Sequence, residues 1–483
     1  MGSCTIVWRL NSFQNSHERL GSSLDILFGA SELCTMRIGS SSSTHDDGNG
    51  SGRLSRRRGE HVGRLMRASF WNLIATVAVQ GTTFAANVIV ARLSGKDAFG
   101  EYAAVYSNFV LVAAVAQLAL GYTTTRYISE LRGTDRERLS RVVTLCAIAS
   151  VASALIGTVA VLATATFVAD RVYEAPGLAD LLRLGSPFVF FSVVSGFLSG
   201  LLAGLERWRS LAISSTIGAI AQILTCIFGT LWWGTDGAVA ALGIGALMRT
   251  SLVGIGALRA MRAEGISLEI SGIRAERVIL ARFALPAAAA GFVSMPITFA
   301  INAMLVRSAD GFVQMASFAA TMGIRQLAMF VPMVVNIVGL PALSRVRGNK
   351  AEYRLVHRHN ILCIVSSAVG CALVVGLLGR TLLALFGHNF TYDTVTLWIL
   401  LASVVPESLG IGVYQHVQAR DRMWESLFFI NIPRELAYFG VSIALIPSHG
   451  SQGVAMAYGV ASLLGVAATL VVASMKPRPV FSG

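Results

Sequence analysis

Residues 312–341 read FVQMASFAATMGIRQLAMFVPMVVNIVGLP, and the one ionisable side chain in that run is Arg325, near its centre. The run exceeds the ~20 apolar residues that cross a bilayer as a helix. A charge at mid-depth costs at least ~2.5–3.5 kcal/mol on insertion scales, so such residues face a wet cavity or a partner. Three further apolar runs carry the same anomaly: Arg249 within 238–258, Glu407 within 395–417, and Arg434-Glu435 within 427–446. Ionisable groups gathered at one depth of a many-span chain point to a pathway.

Composition agrees. Hydrophobic residues make up 54% of the 483-residue chain and charged residues 13%, with a mean hydropathy of +0.64. A soluble domain carries ~25% charge. The chain therefore reads as an all-α polytopic membrane protein, because irregular backbone cannot face lipid. The net charge of +13 does not imply nucleic acid, since the arginines lie in the N-terminal tail and in alternate short loops. Cys146, Cys226, Cys363 and Cys371 sit in apolar spans without C-x-x-C spacing and read as packing residues, while Cys4 and Cys34 lie in the polar tail.

Twelve spans are expected, at 70–91, 102–125, 142–169, 184–204, 211–233, 238–258, 283–306, 312–341, 360–379, 395–417, 427–446 and 452–474. Residues 1–68 form a polar and basic tail whose Ser/Gly-rich composition predicts disorder. The alternative is a true start at Met36 or Met66. An N-lobe at 69–258, a linker at 259–282, a C-lobe at 283–475 and a tail at 476–483 complete the expected organisation. Loops 126–141, 259–282 and 342–359 are arginine-rich, and Arg207, Arg209, Arg420 and Arg422 fall on the same side. The opposite loops hold Arg92, Lys96, Arg171, Arg183, Arg307 and Arg380, so the positive-inside rule places both termini in the cytoplasm.

The halves resemble each other at an offset of 215, which maps Arg92 onto Arg307, Glu137 onto Glu352, and Ser129-Glu130-Leu131-Arg132-Gly133 onto Ser344-Arg345-Val346-Arg347-Gly348. Such repeats are common in transporters, with a substrate site near the midplane between lobes. The segments 69–74 (SFWNLI), Gln80-Gly81, 90–102 (VARLSGKDAFGEY) and 124–130 (TTRYISE) resemble bacterial polysaccharide flippases. These are O-antigen-type oligosaccharide translocases of the multidrug/oligosaccharidyl-lipid/polysaccharide exporter superfamily. The resemblance covers about residues 66–475 and leaves the N-terminal extension without a counterpart. It implies a V-shaped bundle of two six-helix lobes that moves a polyprenyl-diphosphate-linked sugar between leaflets of the bacterial inner membrane. It further implies partners among glycan polymerase and export components.

A diphosphate crossing hydrocarbon needs guanidinium groups, which bind it bidentately and keep their proton. Arg249, Arg325 and Arg434 are the expected substrate contacts. Glu407 and Glu435 are expected to balance the field or to carry a coupling proton or cation. Two plainer readings stand beside these: Arg434 and Glu435 pair with charges on other helices, since adjacent side chains diverge by ~100°, and Arg249 snorkels to the interface. Pro406 and Pro433 precede Glu407 and Arg434 and suit helices that bend. No phosphate-binding Gly-rich loop or H-E-x-x-H motif occurs, and neither enzyme chemistry, metal nor cofactor is expected. A cation-coupled drug exporter and a membrane glycan polymerase or ligase remain as alternatives, the latter disfavoured by the short outer loops.

The topology is testable. In a cysteine-free background, Ser344→Cys is expected to resist an impermeant maleimide applied outside intact cells. Strong labelling there inverts the topology.

Overall fold

The computed structural model describes residues 51–117, 119–269, 272–276, 285–345, 350–418 and 423–475. Residues 1–50 with Cys4 and Cys34, the linker segment 277–284, Val346-Arg347-Gly348, Arg420, Arg422 and the tail 476–483 lie outside them. The chain divides into two compact units, Met1–Leu65 and Met66–Gly483. In the first, the described residues 51–65 are helical.

Among the described residues there is no strand. Helix α1 (Ser51–Ser94) supplies the first span, and α2 (Lys96–Gln117) with α3 (Leu120–Leu131) the second, interrupted at Ala119 in left-handed conformation. Helix α4 (Arg136–Phe167) starts at Asp135, whose carboxylate accepts the Arg138 N–H at 2.9 Å, and runs into a π turn at Val168–Val172. Helices α5 (Leu178–Gly185) and α6 (Pro187–Gly204) form the fourth span, and α7 (Trp208–Glu264) folds double to form two. The second half has α8 (Leu285–Val306), α9 (Gly311–Arg345), α10 (Lys350–Leu377), α11 (Gly379–Phe386) and α12 (Thr394–Gln418). A π turn at Leu427–Asn431 then leads into α13 (Ile432–Ser474), which also folds double.

Nine described helices are long and apolar enough to span, and the shorter apolar helix Phe292–Val306 adds to them. With α7 and α13 each contributing two passes, the twelve expected spans are all represented by helix. Several overrun their expected ends: α10 begins at Lys350 and α7 continues to Glu264, because the flanking Lys, Arg and Glu extend a helix as readily as they end a membrane span.

The repeat is written in the backbone. Helix α7 folds at Gly234 (φ 56, ψ −130) and α13 at Gly450 (φ 50, ψ −125). The flanking sequences, Gly234-Thr235-Asp236-Gly237 and Gly450-Ser451-Gln452-Gly453, match in type. A side chain cannot follow that backbone path, so glycine is required at both folds. The second glycine lets the arms close: a Cβ at Gly237 would lie 1.8 Å from the Gly229 carbonyl oxygen, and one at Gly453 2.5 Å from that of Leu445.

The two halves join at the arginine-poor end. Lys96 pairs with Asp393 at 2.8 Å and lies 5.0 Å from the Phe390 ring centroid. Arg307 pairs with Glu174, and Asn302 donates to the Ser107 hydroxyl at 2.8 Å. Gly100 lets α2 ride on the start of α9, since a Cβ there would meet the Phe312 carbonyl oxygen at 2.0 Å. Phe99 packs between Phe386 and Phe390, with centroids 6.0 Å from each. At the other end, the described part of the linker is fastened to the first half: Glu269 N–H donates to Thr144 at 2.9 Å, and Arg138 pairs with Glu276 at 3.1 Å.

With cysteine at both positions 96 and 393, a short bismaleimide is expected to bridge the pair in resting protein. A pair that stays unbridged would refute this seam.

Candidate functional site

Arg325 lies in the middle of α9 and is 1% exposed. Its Nε donates to Ser403 Oγ at 3.0 Å, and its terminal nitrogen pairs with Glu407. Ser403 and Glu407 are four residues apart on α12 and so share one face. The Tyr458 hydroxyl on α13 donates to the same Glu407 oxygen at 3.1 Å, and the guanidinium carbon lies 4.6 Å from the Tyr458 ring centroid. The Arg325 fork is thus occupied on its edge and on its face. In this conformation it is not open to a ligand, while the Glu407 side chain, 22% exposed, is.

Arg434 and Glu435 follow the π turn and stand in the first turn of α13, with Pro433 between them and Ile432. They pair with each other, Arg434 Nε donating to Glu435 Oε1 at 3.2 Å. The divergence of adjacent side chains does not prevent this, because the long arginine stem curls back across the turn. Ser294 on α8 also donates to Glu435 Oε1, at 3.0 Å. Gly465 makes room for the arginine: a Cβ there would lie 2.9 Å from its Cδ. Glu435 is buried, whereas the Arg434 side chain is 37% exposed. Tyr438 and Tyr458 stand edge to face at 5.4 Å and join the two clusters. Four of the five residues singled out in the sequence therefore lie in one lobe, as two charge-balanced pairs. Tyr458, Ser403 and Ser294 complete them, and none carries a sequence signal of its own.

Arg249 stands apart, in the first lobe. It borders a cavity of 370 Å³ lined by α1, α2, α6 and both arms of α7. Among the described residues of that lining it is the one charged group, and no carboxylate is present. Its Nε is buried and makes no hydrogen bond, and the same holds for Ser195 Oγ across the cavity wall on α6. Ser192, Ser195 and Ser199 at helical spacing, with Ser215 and Gln222 on α7, were the available sequence signal for this wall. Gly218 brings the arms of α7 together, since a Cβ there would sit 3.0 Å from the Arg249 Cα.

Other polar residues in the spans act as stitches. Gln415 on α12 donates to the Asn336 carbonyl on α9 at 3.0 Å and accepts from Asn360 on α10 at 2.8 Å. Cys146 and Cys226 are free and buried, and Cys363 is free and exposed.

Removing one partner of a buried pair costs ~3–5 kcal/mol, because the other charge is stranded. Arg325→Met alone is therefore expected to lower thermal stability strongly, and Arg325→Met with Glu407→Gln to recover most of it. A double variant no more stable than the single one would show that the pair is not coupled.

A model of the family described as polysaccharide biosynthesis protein matches residues 65–347. No curated protein matches the sequence. Among solved structures, the lipid II flippase MurJ in an inward closed conformation superposes with a TM-score of 0.67 at 16% identity, covering 84% of this chain and 87% of that one. A multidrug resistance MATE family transporter of the MOP superfamily, facing inward, gives 0.65 at 16% identity, covering 83% and 97%. A MOP superfamily transporter from Pyrococcus furiosus, described by the reverse polarity of its binding pocket, gives 0.64 at 16% identity, covering 85% and 94%. These likenesses fix the fold as the two-lobed, twelve-helix transporter architecture. By the family match over more than half its length, the chain belongs to the polysaccharide biosynthesis protein family.

Proposed function

We propose that this chain moves a polyprenyl-diphosphate-linked oligosaccharide from the inner to the outer leaflet of a bacterial cytoplasmic membrane for polysaccharide export. The observation that carries the reading is the charge of the interior. One lobe holds two arginines balanced by carboxylates, and the other a hydroxyl-rich, acid-free cavity bordered by a lone arginine. That interior suits a hydroxylated anion. A cationic drug finds no carboxylate among the described residues lining the first-lobe cavity, which weighs against the cation-coupled exporter.

Arg434, the more exposed arginine of the second lobe, is the direct diphosphate contact, a phosphate oxygen taking the place of Glu435 on its fork. Arg325 acts on the same face through Glu407, which faces the open side of that pair. Glu407 and Glu435 keep the site neutral when empty and compete with the phosphate when it must leave. The lobes rock between the state closed at Lys96–Asp393 and one open there, the described part of the linker moving with the first lobe. Both termini face the cytoplasm, and glycan polymerase and export components receive the product.

An inside-negative potential favours outward passage of an anion by ~2.3 kcal/mol per charge per 100 mV. Reconstituted vesicles carrying a fluorescent lipid-linked oligosaccharide are expected to show protein-dependent flipping that speeds up under an inside-negative potential. Flipping no faster than in protein-free vesicles would reject the function. Protein-dependent flipping indifferent to potential would reject the electrophoretic drive alone.

A further inference from the structure

We infer that the first-lobe cavity is a binding site for an acidic sugar residue, a ring bearing a carboxylate, rather than for the diphosphate. The inference rests on the flippase reading and refines it by naming a chemical class for the glycan. Two orphaned polar atoms mark the cavity as a built site: Arg249 Nε and Ser195 Oγ are both buried without a partner. An uncompensated guanidinium in a membrane lobe calls for an anion.

The remaining polar groups decide which anion. The hydroxyls of Thr82, Thr83 and Thr250 already donate, to the carbonyls of Ala78 at 2.6 Å, Val79 at 3.1 Å and Phe191 at 2.8 Å. Each therefore presents lone pairs to the cavity and no proton. Gln222 spends one of its two amide hydrogens on the Ala241 carbonyl at 3.0 Å and keeps the other. A phosphate oxygen only accepts, so at these three threonines it meets lone pairs and no proton. A hydroxylated ring with one carboxylate matches the wall: its carboxylate takes the guanidinium, and its hydroxyls donate to the threonines.

The apolar part of the wall fits the same ligand. Tyr102 and Tyr106 line the cavity with near-parallel rings, their centroids 6.2 Å apart, and Phe188 meets Tyr106 edge to face at 5.7 Å. Flat aromatic faces of this kind cover the C–H face of a sugar ring. The volume of 370 Å³ falls within the ~300–1,000 Å³ of small-molecule sites.

The test compares two polyprenyl-diphosphate-linked disaccharides in the same reconstituted vesicles, one ending in glucuronate and one in glucose. The readout is the ratio of their flipping rates. Wild-type protein is expected to prefer the glucuronate substrate by about tenfold, the scale of one charge-assisted hydrogen bond. Arg249→Gln is expected to bring the ratio near one, Arg249→Lys to keep part of the preference, and Ser195→Ala to reduce it. A ratio is insensitive to how much protein folds, and the lysine and serine variants carry the comparison if Arg249→Gln fails to insert. Equal wild-type rates for the two substrates would overturn this inference and leave the flippase reading intact. So would an undiminished preference in Arg249→Gln, or in Arg249→Lys and Ser195→Ala together where that variant does not insert. Absence of flipping for both substrates in wild-type protein would remove the flippase reading itself.

Discussion

The guanidinium of Arg325 is held at the centre of a membrane helix, and the second lobe is organised around neutralising it. Burial of an ion costs several kcal/mol even after relaxation, and attraction offsets this only with good geometry and full hydrogen bonding. The cluster offsets that cost with an edge bond to Ser403, an ion pair to Glu407, and the Tyr458 ring beneath the cation. Those partners come from α12 and α13, so satisfying one charge fixes three helices at a common depth. Gln415 repeats the device one layer away with neutral groups, joining α9, α10 and α12.

Against this stands an asymmetry between two lobes built on the same plan. The glycine folds at 234 and 450 have nearly the same dihedral angles, and the backbone repeat is close. The charges do not follow it. The first lobe sets Arg249, the one charged group among the described lining residues, beside a hydroxylated cavity, whereas the second pairs its interior arginines with its own carboxylates. The scaffold repeats, and a few differing side chains give each lobe a different charge environment.

Much of the fold was legible in the sequence because its signals are long. Apolar runs, arginine-rich loops and the offset of 215 each integrate over many residues. The folded hairpins were not legible in advance: Gly-Thr-Asp-Gly and Gly-Ser-Gln-Gly are recognisable as a pattern only once the backbone shows why both glycines are needed. At the site, Arg325, Glu407, Arg434 and Glu435 announce themselves as charges in hydrocarbon. Their pairing does not, because it depends on helix rotation that one-dimensional spacing leaves open. The π turn before α13 sets the rotation of Arg434 and Glu435, and Ser294 reaches them from a helix more than a hundred residues earlier in the chain. The cavity wall was hidden for the opposite reason: serines and threonines at helical spacing are ordinary in membrane helices.

The two lobes together suggest why a carrier of this kind keeps its strongest charges paired at rest. A ligand shifts a conformational equilibrium only by its differential affinity for the two states. An open arginine pair would hold an anion tightly in both states and so move nothing. In the proposed transport cycle, carboxylates already seated on the forks would weaken binding to a level from which release is possible, and would make it depend on whether Glu407 and Glu435 swing aside. The Lys96–Asp393 seam lies at one end of the same helical framework: α2 rests on the start of α9 there, and α9 carries Arg325. In the proposed rocking motion, opening the seam would act on the packing around Arg325 through that helix. That shared helix gives seam and site a physical connection, through which occupancy of one can bias the other.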